Sequence, residues 1–86
     1  MAHLNVAVFT TKCVVIDKNP ILFVSHDGDG AWQFHDGSNV DIEDSMVVSL
    51  SDMLELDDSL SDILDLRVGW VAKRKSPDSE WIRTHQ

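Results

Sequence analysis

Apolar residues along this chain follow two different periods, and the change between them predicts the fold. Residues 6–10 and 13–17 are rich in β-branched side chains and end at Lys18-Asn19-Pro20, where the proline ring fixes its own dihedral and interrupts regular structure. They predict one long strand or two short ones. Residues 21–26 run apolar into Asp27-Gly28-Asp29-Gly30, and Ala31-Trp32-Gln33-Phe34-His35 follows before a second Asp-Gly pair. Asp-Gly between alternating segments is the strongest local signal for a β-hairpin, because these residues tolerate the backbone of a tight turn. With Gly28 and Asp29 at the tip, Phe23, Trp32 and Phe34 share one face and Gln33 and His35 take the other. A three-residue loop shifts that register.

Residues 38–45 are acidic, with isolated Val40 and Ile42, and read as a surface loop; Met46-Val47-Val48 is a short apolar run. From Leu50 the period becomes helical. Leu50, Met53 and Leu54 form a stripe, with Ser49 as N-cap and Asp52 in the first turn, where a carboxylate suits the helix dipole. Leu60, Ile63 and Leu64 form a second stripe after Asp57 and Asp58. Helices this short are held only by packing, so both stripes are expected to lie on a sheet. Residues 68–73 predict a strand running into Lys73-Arg74-Lys75, Ser76-Pro77-Asp78 a turn, and Trp81-Ile82-Arg83 a last strand. The expected fold is α+β: a single antiparallel sheet of about four to six strands with one or two short helices packed on one face.

At 86 residues the chain suits a single domain, 1–86, since independent cores need on the order of 50 residues each. Hydrophobic residues at 43% exclude wholesale disorder. A core of this size draws much of its area from Trp32, Trp70 and Trp81, with Trp81 the one expected nearest the surface. Charge is uneven: residues 19–66 hold twelve acids and neither lysine nor arginine, and the whole chain stands at −8. That field repels phosphate backbones and anionic lipid, so neither nucleic acid nor membrane is an expected partner, and Lys73-Arg74-Lys75 reads as a solvated strand end. No run approaches the roughly 20 apolar residues of a bilayer span, and Met1-Ala2-His3-Leu4 lacks a signal-peptide start, which makes the cytoplasm the expected location.

Candidate chemistry is thin. The single cysteine, Cys13, excludes an internal disulfide and paired-cysteine zinc sites, and in an apolar run it reads as an inert buried thiol. An EF-hand loop begun at Asp27 needs glycine where Trp32 stands and glutamate where Ser38 stands, so Asp27 and Asp29 read as turn residues. His3, His26, His35 and His85 lack metal-ligand spacing, although His26 and His35 share a face in the register above. No nucleophile elbow or phosphate-binding glycine loop is present. No catalytic residue, metal or cofactor is expected, and the protein is not read as an enzyme.

Several blocks carry a family likeness. Residues 17–24 leading into Asp29-Gly30-Ala31-Trp32-Gln33-Phe34-His35-Asp36-Gly37, then Val47-Val48-Ser49-Leu50, Leu56-Asp57-Asp58-Ser59-Leu60, residues 65–72 and Trp81, resemble a small uncharacterised bacterial domain family grouped with putative toxin-immunity proteins. The resemblance implies an α+β fold and a bacterial source, and it supplies no catalytic residues. It agrees with what the charge suggests: a binding module for a basic protein partner, because complementary charge speeds encounter and aromatic anchors add affinity. The expected surface comprises Asp41, Glu43, Asp44, Asp52, Glu55, Asp57, Asp58 and Asp62. The alternative is a small-molecule or regulatory site on the hairpin face at Trp32, Phe34 and His35.

Overall fold

The chain changes direction so that a hairpin's second strand returns alongside the first strand of the fold. The computed structural model describes residues 6–38 and 42–85. Its strands are β1 (Ala7–Thr11), β2 (Phe23–His26), β3 (Trp32–His35), β4 (Ser45–Ser49), β5 (Trp70–Lys73) and β6 (Ile82–His85). They form one sheet in the order β4-β1-β3-β2-β5-β6. The single-sheet α+β architecture is as the sequence predicts, and the sheet is mixed. β1 and β3 run parallel, with Phe9 opposite Gln33, while the other neighbours are antiparallel.

The parallel junction has a local cause. Residues 13–17, which the β-branched run predicts as strand, instead turn through a short helix, α1 (Lys12–Val15). Thr11 caps it, its hydroxyl accepting from the Val14 N–H at 3.4 Å, and Ile16 N–H donates to the Lys12 carbonyl at 2.7 Å. Lys18 then takes a left-handed φ of 61° ahead of Asn19-Pro20. Burial of Val14 outweighs the strand propensity of its neighbours, and the turn carries the chain past the place where β3 docks.

The hairpin uses the longer loop. Asp27 N–H donates to the Ala31 carbonyl and Gly30 N–H to the Asp27 carbonyl, both at 2.8 Å, leaving Gly28, Asp29 and Gly30 as the loop, with Gly30 at φ 92°. The pairs are therefore Phe23 with His35, Val24 with Phe34 and His26 with Trp32. This one-residue shift moves Phe23 off the face of Trp32 and Phe34, and puts His26 and His35 on opposite faces, contrary to the two-residue register.

β4 lies at one edge and β5 next to the other, so residues 50–69 must cross the sheet, and they cover one face as they do. α2 (Leu50–Leu56) starts from the predicted cap: Ser49 Oγ accepts from Asp52 N–H at 3.2 Å and the Asp52 carboxylate accepts from Ser49 N–H at 3.4 Å. The second stripe is a 3₁₀ helix, Asp58–Ile63, capped by Asp57. Leu50, Met53, Leu60, Ile63 and Leu66 press onto Val8, Val24, Trp32, Phe34 and Ala72, with Val14 and Ile21 at the margin. Trp70 and Trp81 pack partly buried against this core. Another 3₁₀ turn, Ile42–Asp44, occupies part of the expected loop before β4.

Candidate functional site

The acids of this chain divide into two sets. Asp27, Asp36 and Asp57 are engaged by side chains of the fold, and Asp29 and Asp52 only by backbone N–H groups of the hairpin loop and the helix cap. Asp27 accepts from the Ser25 hydroxyl and, at 2.6 Å, from Gln33 Nε2. Asp36 accepts from Asn19 Nδ2 at 2.9 Å and from the Ser38 hydroxyl at 2.5 Å, and these bonds hold its carboxyl below the usual range. Asp57 receives Ser59 Oγ at 2.5 Å and Arg74 Nη2 at 2.6 Å. Burial pushes its pKa up, but Ser59 and Arg74 together outweigh that and bring it down.

Asp57, read from sequence as part of the partner surface, is thus committed to the interior contact with Arg74. Arg74 itself is a correction: the basic run does not all face solvent. It lies on the covered face two positions after Ala72, where its Nε donates to the Ile21 carbonyl at 2.9 Å and its Nη1 to Ser59 Oγ at 3.0 Å. Its guanidinium lies 4.3 Å from the Trp81 ring centroid, which accounts for the half-burial of that tryptophan. The signal was strand alternation continued one step beyond Ala72.

The second set faces outward. Glu43, Asp52, Glu55, Asp58 and Asp62 are exposed and Asp44 is half-buried. Asp41 lies outside the described residues. None of these six pairs with a base among the described residues; besides Asp57, only Asp65 does, through Arg83 at 2.8 Å. Inward packing of Leu50, Met53, Leu60 and Ile63 directs Asp52, Glu55, Asp58 and Asp62 to the solvent side of the helical layer.

The other sheet face carries no helix among the described residues. It presents Phe9, Val47 and Ile82, all exposed, beside Phe23 and His35. A polar chain crosses it: His35 Nε2 donates to Gln33 Oε1 at 2.9 Å, and Gln33 Nε2 donates in turn to Asp27 Oδ2 at 2.6 Å. This leaves His35 Nδ1 as an acceptor with no partner among the described residues. Burial lowers the His35 pKa against the opposing pull of Asp36 and Asp27.

The alternative ligand site does not assemble. Trp32 is 6% exposed and Phe34 fully buried in the core, while His35 looks out from the opposite face. Alternation along β3 alone puts His35 on the face opposite Trp32 and Phe34. His26 stacks on Trp32 at 4.0 Å and bonds the Leu66 carbonyl through Nδ1, so it serves the core's edge. Cys13 is partly buried, and burial together with the nearby carboxylates of Asp36, Asp17 and Asp44 raises its pKa, keeping the thiol protonated. Among the described residues no group of three or more His, Cys, Asp or Glu is placed to hold a metal ion, and no helix is long and apolar enough to cross a membrane.

No family model, curated protein or solved structure matches the chain.

Proposed function

We propose that this protein is a protein-binding module of the bacterial cytoplasm whose helical layer meets a basic partner, in the manner of an immunity-type inhibitor. The observation that carries this reading is the division of its acids. Asp27, Asp36 and Asp57 are held by side-chain partners, whereas the carboxylates of Glu43, Asp44, Asp52, Glu55, Asp58 and Asp62 form no ion pair among the described residues, Asp52 being held only by the Ser49 cap and Arg83 reaching Asp62 only at its backbone carbonyl. Unpaired like charges on one layer repel one another, a cost that a basic surface converts into attraction and faster encounter. An enzyme that grips nucleic acid is basic around its site, and a small acidic cap fits over such a surface.

The test is affinity capture from the native host with wild-type chain and with a Glu55→Lys/Asp62→Lys variant in parallel, followed by association rates for any protein recovered. A basic protein is expected with the wild type, associating more slowly as salt shortens the Debye length and more slowly still with the variant. An equal rate for both across the salt series would show that the acids only solubilise.

A further inference from the structure

We propose that the outer edge of β4 takes an extended, lysine- or arginine-bearing segment of the partner as an added strand. This rests on the protein-binding reading above and names how the partner is held. Leu50 N–H donates to the Val6 carbonyl at 2.9 Å, and β4 continues the same ladder with Val48 opposite Val8 and Met46 opposite Thr10. Antiparallel ladders alternate, so Val48 and Met46 direct their backbone groups to β1 while Val47 and Ser45 direct theirs outward. No strand pairs on that side among the described residues.

Edge strands are usually blunted by lysine, proline or a bulge. β4 reads Ser-Met-Val-Val-Ser and pairs without interruption over its whole length. The opposite edge, β6, carries Arg83 and His85. On the open sheet face the β4 edge offers Val47, 62% exposed, beside its cross-strand neighbour Phe9. Toward the helical layer it borders an open depression of about 380 Å³ formed by Val15, Val48, Leu56, Asp52 and Glu55.

An added strand alternates its side chains between these two surroundings. Apolar residues meet Val47 and Phe9. Basic residues lay their aliphatic stems on Val48 and Leu56 and bring their charge to Asp52 and Glu55, as long cationic side chains do on apolar surface. Glu43 and Asp44, just before β4, extend the negative field to its other end. The same field disfavours a second copy, because pairing β4 with β4 brings two chains of charge −8 together at their acidic edges.

The test uses the full chain and a short capped peptide of alternating lysine and valine, followed by amide shifts and hydrogen exchange. Binding should slow exchange of the Val47 N–H about tenfold or more and shift residues 45–49, and a glutamate-valine peptide should do neither. Val47→Pro should abolish binding, since it removes an outward N–H and leaves the bonds to β1 in place. Should that variant not fold, Val47→Lys blocks the edge by charge and carries the same expectation. Glu55→Gln should weaken binding about threefold at low salt.

Binding undiminished in whichever blocked variant folds, or shifts confined to the helical layer, overturns the edge assignment. If that binding still weakened with Glu55→Gln, the acidic-surface reading would survive alone. Failure of the peptide to protect Val47 also overturns it, as does a dimer in sedimentation that Val47→Lys dissolves, which would make the occupant a second copy.

Discussion

Asp57 and Arg74, seventeen positions apart, meet at 2.6 Å with the arginine side chain 1% exposed and the aspartate 23%. The contact joins the cap of the 3₁₀ helix to the end of β5, so it ties the helical layer to the sheet. Enclosed charge is tolerable only when its hydrogen bonds are met, and the guanidinium is met by Ile21, Ser59, Pro77 and Asp57.

Removing one partner should cost more than removing both. Asp57→Asn leaves an enclosed guanidinium without its counter-charge and is expected to destabilise the fold by about 2–4 kcal/mol. Arg74→Met combined with Asp57→Asn should be less damaging than the sum of the single changes. Urea unfolding of the four proteins measures the coupling, and strict additivity would mean that the pair does not act as a unit.

Stability should fall in two separate pH windows. Asp57 and Asp36 have pKa values lowered on folding, so their contribution is complete above the ordinary carboxylate value near 4 and is lost as pH drops through their folded values. His35 is also lowered, by burial. Between its unfolded value near 6.5 and its lower folded value the unfolded chain takes up the proton first, so stability declines there as pH falls. Denaturation midpoints from pH 8 to about 5 should show a slope that His35→Gln removes. A flat wild-type profile over that range would contradict the histidine assignment.

Thr10 is enclosed in the sheet at 1% exposure, and its hydroxyl finds no partner among the described residues. Valine has nearly the same shape and no hydroxyl to desolvate. Thr10→Val is expected to stabilise by about 1 kcal/mol, raising Tm by about 4–8 °C for a domain of this size. A lower Tm in a thermal melt would show that the hydroxyl has a bound partner.

The hairpin loop offers a matched pair of glycines. A Cβ at either Gly28 or Gly30 meets nothing within 4 Å, but only Gly30 has a positive φ, 92°. Gly30→Ala should therefore cost about 1–2 kcal/mol through backbone strain alone, whereas Gly28→Ala should be neutral or gain a few tenths by restricting the unfolded chain. Equal effects in chemical denaturation would show that the loop does not use this turn.

Local information accounts for what was legible from sequence. The cap at Ser49 with Asp52, the stripe of Leu50 and Met53 and the outward acids opposite it all depend on neighbours within one or two turns, and each stands in the fold as spelled out by the residues. The Asp-Gly hairpin was equally visible, but its loop length was not, because Gly28 and Gly30 both permit a turn and only packing of Val24 and Trp32 into one core selects the register.

The tertiary structure alone decided the rest. Residues 13–17 have strand-forming side chains, yet with Val14 buried they complete a short helix, Lys12–Val15, and a turn. Arg74 sits between two lysines like any solvated base, and its recruitment by Asp57 depends on a loop closed over seventeen positions. The edge of β4 could not be named before the strand order was known. Composition and short periods determine which residues seek the interior, which caps form and where charge accumulates. Distant pairing determines which face each side chain reaches, because a one-residue shift in a strand reverses every assignment at once.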